Sequence, residues 1–469
     1  MGNMLTCSKG GNGMSQRFDT MEQAITYVFA SLAKTDWRGR ELDENTRNPK
    51  FTEQLLNALG LPAQPREYAV VTGSKGKGST TVLTAKVLQH LGHTVGTITS
   101  PHLLHYCERF RINGMMMPEA DFLRILNDLH PEIDRIIETL PEHDYLSPQG
   151  IFLAVALRWF DENNVTVAVV EVGRGGRFDD NRLVKHKLAL FTPIFLEHTR
   201  YLGATLERIA WHKAGIIEPM SYAYSLPQDK NVLDVLQAEA EKQQAEFAWI
   251  SQTDIGQFTR ADDENQWFTL GRYGELQLSM LGRYEVDNAT LAIWGAGNVH
   301  SRLGMERLPH RSEAYVQAVH NALKDIRWYG RLQKLQTNPL VFVDGAVNVH
   351  SAHLFVESVR AFLVPPVVVV MAVPTDRDLI GVSNVYAPLA NALIYTRSTR
   401  NVAIDFLDEA NTLARVHTLH PHTHWKPSLA QAVELAMQHV GTEGTILLAL
   451  AQPAIADAMA LWGVRLDPV

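Results

Sequence analysis

The stretch Gly73-Ser74-Lys75-Gly76-Lys77-Gly78-Ser79-Thr80 decides how the rest of the chain is read. It follows the short apolar run Tyr68–Thr72 and opens into Thr80–Leu91, where Leu83, Val87, Leu88 and Leu91 recur at helical spacing before Gly92. A strand, a glycine-rich turn and a helix in that order are the context of a phosphate-binding loop. The glycines let backbone N–H groups converge on phosphate oxygens, Lys77 neutralises β/γ charge, and the Ser79 or Thr80 hydroxyl is available to Mg²⁺. The helix N-terminus adds its partial positive charge. The spacing is not the strict G-x-x-x-x-G-K-[ST] form, because Gly78 separates Lys77 from Ser79. Two lysines this close together repel one another unless an anion lies between them.

Outward from the loop, strand-like and helix-like runs alternate in two segments, which predicts α/β architecture with parallel sheets. In the first segment Ile151–Phe160 reads as a buried helix, Val165–Val170 as a strand ending in Glu171, Leu188–Leu196 as a further strand and Leu206–Ile217 as a helix. Residues 221–281 hold a charged helix, Val232–Gln244, and alternating runs at Trp267–Leu270 and Leu276–Leu281 that suggest a small antiparallel insertion. Gly282 to His310 is expected to lead into a linker. The second segment begins near Arg327, with strands at Val341–Val343, Val367–Val373, Ala392–Thr396 and Ile446–Ala451 and helices at Ala352–Leu363, Leu429–Val440 and Pro453–Leu461. The expected division is a leader at 1–17, a first domain at 18–320 that includes the linker region, and a second at 321–469.

A chain of 469 residues, at about 150 per domain, has room for two or three domains. Apolar residues at 46% and charged residues at 20% suit a large packed core. The net charge of −8 leaves no basic footprint for nucleic acid. Cys7 and Cys107 are too few for a disulfide framework or a four-cysteine metal site, and they point to a reducing, cytoplasmic setting. No apolar run reaches the roughly 18 residues of a membrane span. Met1-Gly2-Asn3-Met4-Leu5-Thr6 fits the loose myristoylation pattern with Cys7 beside it, but the stretch reads as a flexible leader before a fold that begins near Phe18.

Further motifs follow the loop in order: Ser100-Pro101-His102-Leu103, Glu108-Arg109-Phe110-Arg111-Ile112-Asn113-Gly114, Glu171-Val172-Gly173-Arg174-Gly175-Gly176-Arg177, and Leu196-Glu197-His198-Thr199 with Tyr201-Leu202-Gly203. His212-Lys213-Ala214-Gly215-Ile216-Ile217, Trp328-Tyr329-Gly330-Arg331, Asp344-Gly345-Ala346-Val347-Asn348 and Asp376-Arg377-Asp378 complete the series. With the loop, this series resembles the Mur ligase superfamily, and within it the folylpolyglutamate synthase / dihydrofolate synthase branch, from about Lys50 to Ala451. The resemblance implies an N-terminal P-loop ATPase-type domain with a mostly parallel sheet and a smaller C-terminal Rossmann-like α/β domain. It implies an ADP-forming ligase that joins a carboxylic acid to an amine through an acyl phosphate. ATP and Mg²⁺, in two sites, are the implied cofactors, and small-molecule acids and amino-acid-like amines the implied partners. A monomer is the expected state, with an oligomer left open.

The same resemblance distributes roles. Gly73 to Thr80 would cradle the nucleotide, with Asn288 at the adenine and Arg331, Asp344 and Asn348 reaching it from the second domain. Glu171, Ser79, Ser100 and His198 match metal ligands. Neutral imidazole is an uncommon Mg²⁺ ligand, so the role of His198 comes from the resemblance alone. Lys77, His198, Lys213 and Arg331 are the candidate catalytic groups. Lys213 resembles the lysine that the superfamily carries as a carbamate, which would present a carboxylate-like group to a second metal.

The chain departs from the family pattern mainly where substrates sit. Val347 stands for a histidine, Ala451-Gln452 for a Gly-Ser pair, Gln149-Gly150 for Phe-Glu, Asp179-Asp180-Asn181-Arg182 for Asp-Ala-Thr-Asn, Glu285 for Gln, and Glu197 for Asp. Gly150, Val347 and Gln452 therefore mark the expected substrate-binding positions. An altered acid and amine pair is the leading expectation. The alternatives are a genuine folylpolyglutamate/dihydrofolate synthase that adds glutamate, a non-catalytic ATP-binding descendant, and a kinase that stops at the acyl phosphate.

Overall fold

Strand β1 (Glu67–Thr72) is buried on both sides and lies at the middle of an eight-stranded sheet. The other seven strands are β2 (Val95–Ile98), β3 (Phe110–Ile112), β4 (Met115–Met116), β5 (Val167–Glu171), β6 (Leu188–Phe191), β7 (Tyr222–Ser225) and β8 (Glu246–Trp249). Their order is β4-β3-β2-β5-β1-β6-β7-β8, parallel throughout except at the β2–β3 and β3–β4 pairs. Helices cover both faces, and this is why β1, β5 and β6 are continuous apolar runs rather than alternating ones. This computed structural model describes residues 18–37, 39–303, 308–309, 312–400 and 404–469. The expected leader, with Gly2 and Cys7, lies outside the described residues. Phe18, where the fold is expected to begin, is buried at 2% exposure.

Strands β9 (Gln257–Ala261), β10 (Gln266–Thr269) and β11 (Glu275–Leu278) form the antiparallel insertion, with one more strand than the sequence pattern suggests. The second sheet contains β12 (Gln333–Gln336), β13 (Leu340–Asp344), β14 (Val367–Ala372), β15 (Ala392–Tyr395), β16 (Thr423–Trp425) and β17 (Thr445–Leu450). Its order is β12-β13-β17-β14-β15-β16, and only β12 runs antiparallel to its neighbour. Among the described residues no helix is long and apolar enough to cross a membrane.

One expectation is corrected and another takes on its form. The strand expected over Leu188–Leu196 ends at Phe191. Pro193 has no N–H for the ladder, and the chain turns there into a loop that carries Glu197 and His198. The segment from Gly282, expected to lead into the linker, is itself helical. It forms a 20-residue helix, Arg283–Arg302, packed against the loop helix Lys77–His90. Its small residues also permit close approach to β6, where a Cβ on Gly295 would sit 2.8 Å from Leu190. The next helix, Glu313–Asp325, buries Tyr315, Val319 and Leu323 in the same core. We place the passage between the two bodies after Ile326, which still belongs to that core.

Candidate active site at the carboxyl ends of two sheets

The central strands of the first sheet converge at their carboxyl ends, the usual ligand position in open α/β sheets. There β1 delivers the glycine-rich loop, β5 delivers Glu171, and the segment after β6 delivers Glu197 and His198. Gly76, the residue before the loop helix, has φ +84°, a conformation that side chains oppose. A Cβ there would also sit 2.5 Å from Asn288 Oδ1. The loop is braced from outside: Ser74 N donates to the Pro193 carbonyl (2.8 Å), and Phe195 N donates to Ser74 Oγ (3.1 Å). The backbone N–H groups opening the helix form a cradle that fits phosphate.

Around this cradle the charges are dense. Lys77 Nζ donates to the Gly73 carbonyl at 3.1 Å, and Lys213 Nζ donates to the same oxygen at 2.6 Å. Lys213 is 1% exposed, and its second partner is Glu197 Oε1 at 3.1 Å. Burial lowers the Lys213 pKa to about 8, opposed by Glu197. Lys75 stands open to solvent at the loop mouth, yet desolvation and the Arg331 guanidinium lower its pKa. Lys77 and Lys213 thus crowd one carbonyl, and Arg331 and Lys77 both act to lower the pKa of Lys75, an arrangement that a polyanion would relieve.

Glu171 is 4% exposed at the end of β5, and its Oε2 accepts from Ser100 N at 2.9 Å. Burial raises its carboxyl pKa, countered by Lys77. The Ser100 segment is itself held by Glu108, whose two oxygens accept from Leu103 N (2.9 Å) and Leu104 N (2.6 Å). Glu171, Ser79 and Ser100 together offer one carboxylate and two hydroxyls, the hard oxygen set that suits Mg²⁺ when phosphate and water complete its shell. His198 sits at φ +48°, its side chain 43% exposed and 3.9 Å from Glu197 Oε2. Desolvation in the cleft pushes its imidazole down to about 4. Among the described residues no three His, Cys, Asp or Glu side chains converge to hold a metal.

From the second body, Asp344 closes β13 with its Oδ2 accepting from Leu332 N at 2.8 Å. Burial raises its carboxyl, opposed by Arg331. The side chain of Asn348 caps the helix Val349–Val359 through Ser351 N at 2.9 Å. Gln452 Nε2 donates to the His102 carbonyl across the two bodies. Val347 lies half-buried against the core of its own body. Gly150 packs inside the first body, where a Cβ would meet Thr52 Oγ1 at 1.9 Å. Thr52 donates to Asp180 (2.7 Å), and Arg47 pairs with Asp179 (3.2 Å) and Asp180 (3.5 Å).

The structure adds residues whose part was not visible in the motifs. Glu285, noted in the sequence only as a departure, is 1% exposed and accepts from Ser79 Oγ (2.8 Å) and Asn288 Nδ2 (2.9 Å). Burial pushes its carboxyl up to about 7 against those two donors. Its signal was the three-residue spacing to Asn288, which places both on one helix face. Trp328 covers the loop, its Cζ2 3.0 Å from where a Cβ on Gly78 would stand.

A glycine-rich phosphate loop, a buried strand-end carboxylate and a second α/β body over both describe a two-body, P-loop ATP-dependent ligase architecture. Residues 71–296 match the Mur ligase middle domain, and residues 330–451 match the Mur ligase glutamate ligase domain. The chain belongs to the Mur ligase family. Its relatives place it in the folylpolyglutamate synthase / dihydrofolate synthase branch. It is 31% identical over 316 residues to the dihydrofolate synthase/folylpolyglutamate synthase of Bacillus subtilis, spanning 66% of this chain and 71% of that protein. It is 27% identical over 451 residues to the Mycobacterium tuberculosis protein of the same name, spanning 90% of this chain and 88% of that protein. The fold matches that of Mycobacterium tuberculosis folylpolyglutamate synthase complexed with ADP, with a TM-score of 0.79 and 24% identity over 95% of this chain and all of that one.

Proposed function

We propose that this chain is an ADP-forming ligase that activates the carboxylate of a folate-type acid with ATP and joins it to glutamate. The observation that carries the ligase reading is the placement of Glu171 against the loop, its Oε2 3.6 Å from where a Cβ on Gly78 would stand and accepting from Ser100 N, with Lys77 and Arg331 both opposing the rise of its pKa. A carboxylate is a poor electrophile, and phosphorylation gives it a leaving group. Catalysis of such a transfer is mainly positioning and charge neutralisation.

Lys75, Lys77 and Arg331 would neutralise phosphate charge, and Asn288 would meet the adenine. Glu171, Ser79 and Ser100 would hold Mg²⁺, which when bound shields the phosphates and polarises the transferred group. Lys213, once carbamylated, would turn from a cation into a carboxylate-like support for a second metal near His198. The approach of the second body, already tied by Gln452 to His102, would exclude water from the activated acid. A cytoplasmic setting and a monomeric state accompany this reading.

The folate reading takes its support from the names of the relatives. A second reading, a changed acid and amine pair, is favoured by Val347, which offers no hydrogen bond, and by Asp179 and Asp180, which Arg47 already occupies. The deciding experiment incubates the protein with MgATP, glutamate, and tetrahydrofolate or dihydropteroate. Release of ADP and phosphate with the mass of a glutamyl conjugate supports the folate reading. Turnover only with other acid and amine pairs supports the second. Nucleotide binding without turnover in any mixture identifies a non-catalytic descendant, and a hydroxamate without an amide identifies a kinase.

A further inference from the structure

Ser79 and Asn288 each have a role in the reading above, but the buried group that joins them has none. Glu285 lies in the first turn of the helix Arg283–Arg302, which packs along the loop helix. Its Oε1 accepts from Ser79 Oγ at 2.8 Å, and its Oε2 accepts from Asn288 Nδ2 at 2.9 Å. Asn288 is held a second time, since its Oδ1 accepts from Thr80 Oγ1 at 3.3 Å. Two consecutive hydroxyls at the start of the loop helix are thus both bound to one face of a neighbouring helix.

A serine hydroxyl has one proton and two lone pairs, and it turns freely about its Cβ–Oγ bond. To ligate a cation it must offer a lone pair, so its proton has to be directed elsewhere. A proton left facing the cation opposes binding, and an unanchored hydroxyl loses rotational freedom each time a cation arrives. Glu285 accepts that proton through an acceptor that is itself fixed by Asn288. Partners that orient metal ligands in this way commonly account for about 10–100-fold in metal affinity or activity.

We propose that Glu285 is a positioning residue that fixes the Ser79 hydroxyl in its cation-ligating rotamer and, through its second oxygen, couples that rotamer to Asn288. The proposal rests on the reading of the loop as a Mg–nucleotide site. It separates Glu285 from a direct ligand: a glutamine here keeps an oxygen to accept the Ser79 proton but gives up the charge a ligand would contribute.

The test measures calorimetric binding of the ATP analogue AMPPNP in EDTA and in Mg²⁺, and reads the ratio of the two dissociation constants. Glu285→Ala should lower the Mg²⁺ enhancement about tenfold, while binding in EDTA changes little because Thr80 still holds Asn288. Glu285→Gln should restore most of the enhancement. In a Ser79→Ala background, Glu285→Ala should add nothing further, since its route through the hydroxyl is gone. Glu285→Leu replaces the alanine variant should alanine leave the helix interface unstable in a thermal melt. Full enhancement in Glu285→Ala or Glu285→Leu overturns the proposal, and so does a glutamine variant as weak as the alanine one, or an undiminished effect in the Ser79→Ala background. A wild-type protein whose nucleotide binding ignores Mg²⁺ overturns the functional reading as well, and this distinguishes the two failures.

Discussion

Lys213 Nζ bridges Glu197 Oε1 at 3.1 Å and the Gly73 carbonyl at 2.6 Å, so a buried ion pair is anchored on the first residue of the phosphate loop. The pair links the helix Leu206–Ala214 to the loop following β6 and holds both beneath the nucleotide cradle. Desolvation takes the Lys213 pKa down to about 8. An amine of that pKa has an appreciable neutral fraction at neutral pH, and the neutral amine is the form that attacks CO₂. The neutral fraction grows as pH rises through about 8.

Ligase turnover should therefore fall when bicarbonate and CO₂ are removed and return when bicarbonate is supplied, with the restored activity larger at pH 8.5 than at pH 7. A ¹³C-carbamate signal after ¹³C-bicarbonate addition should be absent in Lys213→Ala. Glu197→Gln removes the charge that supports the ammonium and should shift the pH midpoint downward. Full activity in CO₂-free buffer without a carbamate signal is the contrary result.

Arg47 should be indispensable for stability. Its side chain is 13% exposed, and it faces Asp43, Asp179 and Asp180, whose side chains are 3% exposed or less. Burial opposes its charge, but the three carboxylates outweigh that and raise its pKa. Arg47→Leu leaves Asp179 and Asp180 without a cation, while Asp43 keeps Arg174, and a loss of about 3–5 kcal/mol in urea unfolding is expected. Arg47→Lys should recover only part of this, because an ammonium cannot fork between two carboxylates. A variant within experimental error of wild type would mean that the aspartates are compensated from elsewhere.

The loop, β5 with Glu171 and the buried strands of the second sheet were legible because each is a local pattern: an apolar run followed by a glycine turn or an acidic residue. The Glu285–Ser79 bond was not, because 206 positions separate the two residues and neither sequence neighbourhood reports the other. The helix Arg283–Arg302 was obscured by its own composition. Gly295 and Gly297 lie inside it, yet Val286, Ala289, Ile293, Ala296 and Val299 recur at helical spacing, and the small residues serve close packing. Gly150 was legible only as a departure from the family pattern. It stands where that pattern has a carboxylate, which marks it as a substrate-binding position, and in the structure it lies against Thr52.

Gly76→Ala should impair nucleotide binding more than it impairs folding. The substitution forces a side chain to φ +84° and into Asn288 Oδ1. Left-handed strain costs roughly 1–2 kcal/mol, and relief requires either the loop or Asn288 to move. An ADP affinity reduced by about tenfold or more, equivalent to roughly 1.4 kcal/mol, is expected with only a small fall in thermal midpoint. Adding Asn288→Ala should relieve the contact but not the strain, so the double variant stays weaker than wild type. Unchanged ADP affinity in Gly76→Ala would show that the loop does not hold the phosphates.

His93 and His300 supply a pH-dependent contact far from the cleft, Nε2 to Nδ1 at 2.9 Å. His300 Nε2 lies 2.8 Å from the Leu308 carbonyl and donates to it, so its Nδ1 accepts and His93 Nε2 donates. Burial, and then His300, lower the His93 pKa to about 4. The folded protein keeps this imidazole neutral, whereas the unfolded chain takes up a proton below about 6.5. The stabilisation is therefore present above pH 6.5 and lost as pH falls toward 4. Glutamine at position 93 can still donate to His300 but does not titrate. The thermal midpoint of wild type minus that of His93→Gln should thus decrease between pH 7.5 and 4.5, and buried carboxylates such as Asp287 titrate in both proteins and cancel in the difference. A constant difference across that range would mean that His93 gains no proton on unfolding, and that the contact is not the pH-sensitive tie between the turn before β2 and the helix Arg283–Arg302 that its geometry describes.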